Sequence, residues 1–192
     1  PAVALGLAVA AAVFLVRFDP LRLTSGVYRH GRVTAQAGSR VIYFRHGKTA
    51  SISLITNQGY VGISTNGKPD ATINMQSAEA APDEITMTLA GALPLALHPH
   101  PARVANIGIG SGLTSQVLLT DPAVQVLDTV EIEPLMAEAA RIGFIPRVRN
   151  TFEDPRSHIH FDDAKTFFAT HPARYDVIVS EPSNPWVSGV AT

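Results

Sequence analysis

The chain has 192 residues, which is long enough for one full domain with a sizeable core, and its 15 basic and 16 acidic side chains give a formal net charge of −1. This balance excludes a broadly basic protein that coats nucleic acid, because no excess of cations can replace the phosphate counterions. The absence of cysteine excludes disulfide frameworks, thiolate nucleophiles, zinc ribbons and iron–sulfur clusters.

The first 16 residues carry no charged or strongly polar side chain. This run is shorter than the ~20 residues that span a bilayer. It starts at Pro1 rather than at a methionine, so we interpret residues 1–18 as the end of a longer transmembrane helix. Basic residues dominate the following stretch, which by the positive-inside rule predicts a membrane-associated protein with the rest of the chain in the cytoplasm. A buried alanine/valine helix is an alternative, and a signal peptide fits worst because no basic region precedes the apolar run.

Residues 23–75 are predicted to form a small antiparallel β subdomain. Short β-branched and aromatic runs begin near Arg40, and the residues that interrupt them are typical of tight hairpin turns: His46-Gly47, Asn57-Gln58-Gly59 and Asn66-Gly67. A helix is predicted over residues 76–98, ending or kinking near Pro94, because apolar residues recur there at helical spacing, namely Ile85, Leu89, Leu93 and Leu97.

Residues 76–192 are predicted to form an α/β domain, because strand and helix alternate from residue 103 onward. The strands are predicted at 103–109, 124–133, 157–161 and 175–181. This alternation indicates βαβ units and a parallel sheet, with ligands bound beyond the carboxyl ends of the strands. In the usual order 3-2-1-4 the fourth strand is an open edge with Val177 and Val179 partly uncovered, so we interpret the chain as a fragment whose remainder supplies further strands.

Residues suited to binding a nucleoside follow the first three strands. A glycine loop lets a ligand approach the backbone at the start of the next helix. Leu113 occupies the sixth position of the nicotinamide fingerprint and so argues against an NAD site. Each acid taken alone is more typical of a helix cap. Together, however, these residues predict a nucleoside site formed by Gly108, Gly110, Ser111, Gly112, Glu131, Asp162 and Asp163, with Glu133 on the same side of its strand as Glu131.

The fourth strand continues into a polar loop that contains Glu181, Asn184 and Trp186, and the proline-stiffened loop is predicted to cover the same crevice. No metal site is predicted. His98 and His100, like His158 and His160, have the His-x-His spacing of some metal sites, but no third ligand is recognisable nearby.

An ordered series of motifs resembles the spermidine synthase (polyamine aminopropyltransferase) family, in particular the membrane-fused spermidine-synthase-like proteins of bacteria. The series covers residues 23–190 and consists of LTSGVYRHGR, RVIYFRHGKTASISL, NGKPDA, DEITMTLAGALPLALHPHPARVANIGIGSG, VEIEP, DDA and YDVIVSEPSNPW. The resemblance implies a β-rich subdomain followed by a Rossmann-like domain of the class I methyltransferase type. It also implies decarboxylated S-adenosylmethionine or S-adenosylmethionine as co-substrate, with Glu131 as the ribose ligand and Asp163 as the adenine contact. Homodimers are a further expectation from the resemblance alone.

The amine end of the site departs from the family pattern. Aminopropyltransferases have an aspartate in the glycine loop, where this chain has Ser111, and two aspartates in the fourth-strand loop, where it has Glu181 and Asn184. Carboxylates there hold a cationic polyamine and accept a proton from the attacking nitrogen. The sequence therefore predicts an aminopropyltransferase-like enzyme with an altered amine site, Glu181 as base, and Asn184 and Trp186 near the amine. A methyltransferase and a non-catalytic ligand-sensing domain of a membrane protein are the alternatives.

Overall fold

The computed structural model describes residues 4–6, 11, 19–27, 31, 33 and 37–180. A short helix α1 (Pro20–Leu23) precedes an antiparallel sheet of four strands: β1 (Arg40–His46), β2 (Ser51–Asn57), β3 (Tyr60–Thr65) and β4 (Lys68–Asn74). Helix α2 (Pro82–Leu97) leads to a parallel sheet of four strands: β5 (Arg103–Ile107), β6 (Val126–Glu131), β7 (Ser157–Phe161) and β8 (Val177–Ser180). The intervening helices are α3 (Leu113–Leu118), α4 (Pro134–Glu153) and α5 (Ala164–Thr170). The predicted combination of an antiparallel and a parallel sheet is confirmed.

The hairpins of the antiparallel sheet turn where the sequence predicts them. Gln58 and Gly59 join β2 to β3 at φ values of +47° and +87°, and Asn66 and Gly67 join β3 to β4 at +50° and +77°. Positive φ at both central residues matches the right-handed twist of the flanking strands, and asparagine and glycine adopt it readily. The β1–β2 loop at residues 47–50 is longer, and it reaches the parallel-sheet side of the molecule.

Helix α2 begins later than predicted. The Asn74 side chain accepts hydrogen bonds from the backbone of Gln76 and Ser77, which fixes a turn there. Ala81 is extended because it precedes Pro82, the first helical residue. The prediction that residues 76–81 are helical was therefore wrong, while the helix does end close to Pro94. Its apolar stripe at Ile85, Leu89, Leu93 and Leu97 is exposed, and the buried face contains Met87 and Gly91.

The parallel sheet has the order β7-β6-β5-β8, which is the predicted 3-2-1-4 arrangement. Strand β8 is an edge among the described strands, but Val177 and Val179 are buried and pack in a cluster with Ala90 and Leu95 of α2. The expectation that these valines are partly uncovered was wrong, because α2 covers their face of the strand. Ile178, which points to the opposite face, is 54% exposed.

A larger core joins the antiparallel sheet to α4. Buried residues of β1–β4 form one apolar cluster with Ala139, Ala140 and Phe144 of α4. Gly143 allows close packing of α4 on the sheet, since a Cβ there would lie only 3.1 Å from Leu54. Helix α4 contacts β2 and β3 of the antiparallel sheet and β6 and β7 of the parallel sheet, and this packing positions the site described below.

Among the residues that the structure describes, none of the helices has the length and apolar character needed to cross a membrane. The predicted transmembrane segment, residues 1–18, lies almost entirely outside the described residues and stays a prediction.

Candidate active site

A cavity of about 700 Å³ lies beyond the carboxyl ends of β5, β6 and β7. Its volume is within the range of roughly 300–1,000 Å³ that is usual for small-molecule sites. One wall comes from the parallel domain, and the other comes from the antiparallel sheet. Five of the predicted ligand-binding residues line it: Gly108, Gly110, Glu131, Asp162 and Asp163.

The backbone of the glycine loop after β5 adopts positive φ angles, which favour glycine. Gly108, Gly110 and Gly112 have φ values of +87°, +49° and +88°. A Cβ added at Gly108 or Gly110 would meet no heavy atom within 4 Å, so both face open space at the cavity. Gly112 instead packs against Thr151, whose hydroxyl donates to the Gly112 carbonyl at 2.7 Å, and it does not line the cavity. At Gly108 and Gly110 the loop therefore presents bare backbone to the cavity.

Glu131 ends β6 and ties the glycine loop to that strand. Its Oε2 accepts a hydrogen bond from the Ile109 backbone N–H at 3.0 Å, and its Oε1 accepts one from the Glu133 N–H at 2.8 Å. The residue is only 7% exposed, and burial raises the pKa of its carboxyl although these backbone donors lower it. A hydroxyl donor from a bound ligand would further stabilise the buried charge.

Ser111 is fully buried and lies off the cavity wall. Its hydroxyl donates to the Met87 sulfur at 3.1 Å and accepts from the Leu113 N–H at 3.3 Å. Ser111, the position at which the aminopropyltransferase pattern has an aspartate, therefore contributes no polar group to the cavity surface.

The acids after β7 serve local structure and also line the cavity. Asp163 is the N-cap of α5, since its Oδ1 accepts from the Thr166 N–H at 3.0 Å. The Asp162 backbone N–H donates to the Glu131 carbonyl at 3.1 Å, and its Oδ1 accepts from the Asp163 N–H. One carboxylate oxygen of Asp163 thus caps α5, as the helix-cap alternative predicts, and the residue also borders the cavity.

Glu133 links the two sheets. Its Oε2 accepts from the Thr49 N–H at 2.7 Å and from the Thr49 hydroxyl at 2.8 Å, and Oε1 accepts from the Leu135 N–H. Although burial alone would raise the pKa of Glu133, the donors from Thr49 and Leu135 hold it below its ordinary value. Gly47 lies against this carboxylate so closely that a Cβ would collide with it.

The antiparallel sheet contributes cavity residues that the sequence analysis missed, among them Thr49, Thr65, Lys68 and Asp70. Lys68 and Asp70 are two residues apart on β4, and their Nζ and Oδ1 atoms are 3.7 Å apart. The period of two along a strand places them on one face, which is the only signal in the sequence that could have linked them.

A second polar cluster lies on the parallel sheet outside the cavity. The Asp128 carboxylate accepts from Arg103 and Tyr175 at 2.8 and 2.9 Å, and it bonds His160 Nε2 at 2.8 Å. Burial would raise the pKa of Asp128, but these three partners together lower it. The Nε2 atom of His160 is thus already hydrogen-bonded to a carboxylate. Within the described part of the chain, no cluster of three or more metal-binding side chains is found.

Glu181, Asn184 and Trp186 lie outside the described residues. Their predicted roles therefore stay predictions.

Residues 85–191 match the family described as "Spermine/spermidine synthase domain". This is more than half of the 192-residue chain. The chain therefore belongs to the spermine/spermidine synthase family. The resemblance inferred from the motifs is confirmed at the level of the family.

Curated relatives in the family include two polyamine aminopropyltransferases. The protein of Alkaliphilus oremlandii is 31% identical over 97 residues, which are 50% of this chain and 34% of the relative. The protein of Streptococcus pneumoniae is 31% identical over 94 residues, which are 49% of this chain and 32% of the relative. The matched region thus spans about a third of these spermine/spermidine synthase relatives.

Solved structures of spermidine synthases share the fold. A spermidine synthase in complex with the transition state analogue AdoDATO aligns with a TM-score of 0.66 at 25% identity, over 77% of this chain and 48% of the other. The spermidine synthase of Thermotoga maritima aligns with a TM-score of 0.64 at 25% identity, over 73% of this chain and 47% of the other.

Proposed function

We propose that this chain binds an adenosyl-sulfonium substrate in the cavity and transfers an aminopropyl group from decarboxylated S-adenosylmethionine to an amine. The observation that carries the proposal is the placement of Glu131. This buried carboxylate at the carboxyl end of β6 lies beside the glycine loop that follows β5, in a chain of the spermine/spermidine synthase family. A spermidine synthase of this fold is known in complex with the transition state analogue AdoDATO, which supports an adenosyl ligand here.

In the proposed complex Glu131 accepts hydrogen bonds from the ribose hydroxyls. Gly108 and Gly110 allow the nucleoside to approach the backbone, because neither carries a side chain and both face open space. Asp163 borders the part of the cavity beyond β7 and takes the adenine contact, with Asp162 beside it.

The proposed reaction is a direct displacement at carbon. The amine nitrogen attacks the aminopropyl carbon bonded to the sulfonium, the new C–N bond forms as the C–S bond breaks, and sulfur keeps the electron pair. Methylthioadenosine leaves as a neutral thioether. The nitrogen must lose a proton to be nucleophilic, and we assign Glu181 as the base that takes it. Asn184 and Trp186 are assigned to the amine substrate.

Product analysis distinguishes this proposal from its alternatives. The complete protein is incubated with decarboxylated S-adenosylmethionine and a panel of diamines and polyamines, and in parallel with S-adenosylmethionine, and products are identified by mass spectrometry. We expect methylthioadenosine and an amine heavier by one aminopropyl group, with Glu181→Gln strongly reducing the rate. A methylated amine from S-adenosylmethionine would instead indicate a methyltransferase. Ligand binding without any product would indicate a sensing domain.

Membrane association through residues 1–18, with the catalytic domain in the cytoplasm, and a homodimeric state are part of the same proposal. Fractionation of cells that express the complete protein, followed by detergent extraction and light scattering, tests both. Recovery in the aqueous fraction would contradict the membrane assignment, and a monomeric mass would contradict the dimer.

A further inference from the structure

The second half of α4 packs on the end of the glycine loop. Helix α4 is kinked there, since Pro146 lies inside it and Val148 has the non-helical angles φ −131° and ψ 30°. Val148 and Thr151 are both fully buried, and a Cβ added at Gly112 would lie 3.5 and 3.3 Å from their Cγ2 atoms. Gly112, a predicted ligand residue, therefore faces α4 rather than the cavity.

Hydrogen bonds also join α4 to the loop. Thr151 Oγ1 donates to the Gly112 carbonyl at 2.7 Å, and the same carbonyl accepts the Gln116 backbone N–H at 3.0 Å in the first turn of α3. The Gln116 side chain in turn accepts the Asn150 N–H at 2.8 Å. Two neighbouring residues of α4 are thus bonded to the segment in which the glycine loop becomes a helix.

The turn at the centre of the loop is anchored at both ends. The Gly112 N–H donates to the Ile109 carbonyl at 2.7 Å and closes a turn that contains Gly110. The Ile109 N–H donates to Glu131 Oε2 at 3.0 Å. Glu131 therefore holds the first residue of the turn, and Thr151 holds the last. Gly110 borders the cavity between these two anchors.

A glycine loop needs such anchors to bind a ligand well. Glycine loses more conformational freedom than any other residue when its backbone is fixed, and three of the five residues 108–112 are glycine. An anchor that fixes the loop before the ligand arrives lowers the entropy cost of binding. Thr151 does not line the cavity, so its effect on a ligand passes through the loop.

We propose that Thr151 is a positioning residue for the adenosyl ligand. Its hydroxyl fixes the Gly112 end of the turn and thereby holds the Gly110 backbone where the nucleoside approaches it. The inference rests on the proposed function, since it assumes that the cavity binds an adenosyl group, and it adds to that function a residue outside the cavity wall.

Calorimetric titration of methylthioadenosine into matched variants of the complete protein tests this role. Thr151→Val removes the hydroxyl at nearly constant shape, and the Gly112 carbonyl keeps its bond from the Gln116 N–H. Thr151→Ser keeps the hydroxyl. Thr24→Val is the control, because Thr24 is also buried, lies outside the cavity and donates its hydroxyl to the Pro20 carbonyl at 3.0 Å. All are titrated at a temperature at which unfolding curves show them folded.

We expect Thr151→Val to weaken methylthioadenosine binding by about 3- to 10-fold, the usual effect of one lost hydrogen bond. Thr151→Ser and Thr24→Val should each change it by less than about twofold. Amide hydrogen exchange of the ligand-free protein is a second readout. In Thr151→Val the Gly112 amide should exchange about 3 to 10 times faster while amides of the parallel sheet keep their rates, whereas a general loss of stability would speed both.

Three results would overturn the inference and leave the proposed function standing: unchanged affinity in Thr151→Val, an equal loss in Thr24→Val, or failure of Thr151→Ser to restore binding. If Thr151→Val does not fold, exchange in the unaltered protein decides. A protected Gly112 amide supports the anchor, and a rate equal to that of exposed loop amides contradicts it. If the unaltered protein did not bind methylthioadenosine, the proposed function would fail and this inference with it.

Discussion

The Glu133 carboxylate at the start of α4 accepts two hydrogen bonds from Thr49, one from its backbone N–H and one from its hydroxyl. Thr49 belongs to the β1–β2 loop, and both residues line the cavity. One side chain therefore caps a helix of the parallel domain and fastens the antiparallel sheet over the site. The cavity wall depends on this link, because the loop has no comparable contact with the glycine loop among the described hydrogen bonds.

Replacing Glu133 should destabilise the protein. In Glu133→Gln an amide NH₂ group faces backbone donors, so at least one buried hydrogen bond is lost. We expect the free energy of unfolding to fall by about 1–3 kcal/mol, measured by chemical denaturation. Glu153→Gln is the control, because Glu153 is in an exposed ion pair with Arg149, and it should change stability by less than about 0.5 kcal/mol. Equal stability of the two variants would contradict the role given to Glu133.

A side chain added at Gly108 should leave the glycine loop folded but should weaken ligand binding. Gly108 and Gly38 have similar positive φ values, +87° and +84°, and neither has a neighbour that blocks a Cβ. We expect Gly108→Ala and Gly38→Ala each to lose about 1 kcal/mol of stability from backbone strain.

Only Gly108→Ala should weaken binding of methylthioadenosine, by at least about tenfold, because its methyl group lies where the nucleoside approaches the backbone. Calorimetry on both variants checks this expectation. Comparable affinities would show that the nucleoside does not contact the loop at Gly108.

The Asp128 cluster should make stability depend on acid pH. The pKa of Asp128 is lower in the folded protein than in the unfolded chain, so its stabilisation is complete above the ordinary value of about 3.9 and is lost as the pH falls through the folded value. Asp128→Asn should lose about 2–3 kcal/mol at pH 7, because Arg103 loses its ion pair and the hydrogen bonds of Arg103 and Tyr175 go to a neutral amide oxygen instead of a carboxylate.

Denaturation at pH 7 and at successively lower pH values measures this effect. The difference between Asp128→Asn and the unaltered protein should begin to shrink below about pH 4, where Asp128 takes up a proton in the unfolded chain but not yet in the folded protein. Tyr175→Phe keeps the carboxylate and should lose only about 1 kcal/mol at pH 7. A difference that stays constant down to pH 3 would contradict the assignment.

The exposed stripe of α2 should contribute little to the described core. Leu93→Gln is expected to change the free energy of unfolding by less than about 0.5 kcal/mol, since Leu93 is exposed. Leu118→Ala should lose about 2–5 kcal/mol, because Leu118, the last residue of α3, is fully buried in the cluster on the parallel sheet. Similar losses in both variants would show that the stripe is covered in the complete protein.

Local signals in the sequence predicted the hairpin turns and the parallel sheet. The Asn66-Gly67 pair suits only a few turn types. A buried strand followed by a helix can be recognised within a window of about 30 residues. Periodicity could not show which face of α2 is buried, since leucines every fourth residue mark one face whether or not another element covers it. Met87 and Gly91 are buried because α3 packs there, and this depends on residues far along the chain.

The candidate site was predictable only on its parallel-sheet side. Gly108, Glu131 and Asp163 follow strands, and the carboxyl ends of parallel strands meet at one edge, so their proximity follows from topology. The contribution of Thr49, Lys68 and Asp70 depends on how the antiparallel sheet docks on α4, which no short-range pattern encodes. Ser111 was placed in the site by its position in the loop, whereas its rotamer turns the hydroxyl towards Met87.

Titration of methylthioadenosine into the unaltered protein and into Glu131→Gln tests the central claim most directly. Methylthioadenosine carries the adenosine part of the proposed substrate without its cationic end, so its binding reports on the nucleoside site alone. We predict measurable binding to the unaltered protein, at least about tenfold weaker in Glu131→Gln, because a carboxylate accepts from ribose hydroxyls more strongly than a neutral amide does. No binding to the unaltered protein, or equal affinity in the variant, would contradict the assignment of this cavity as the adenosyl site.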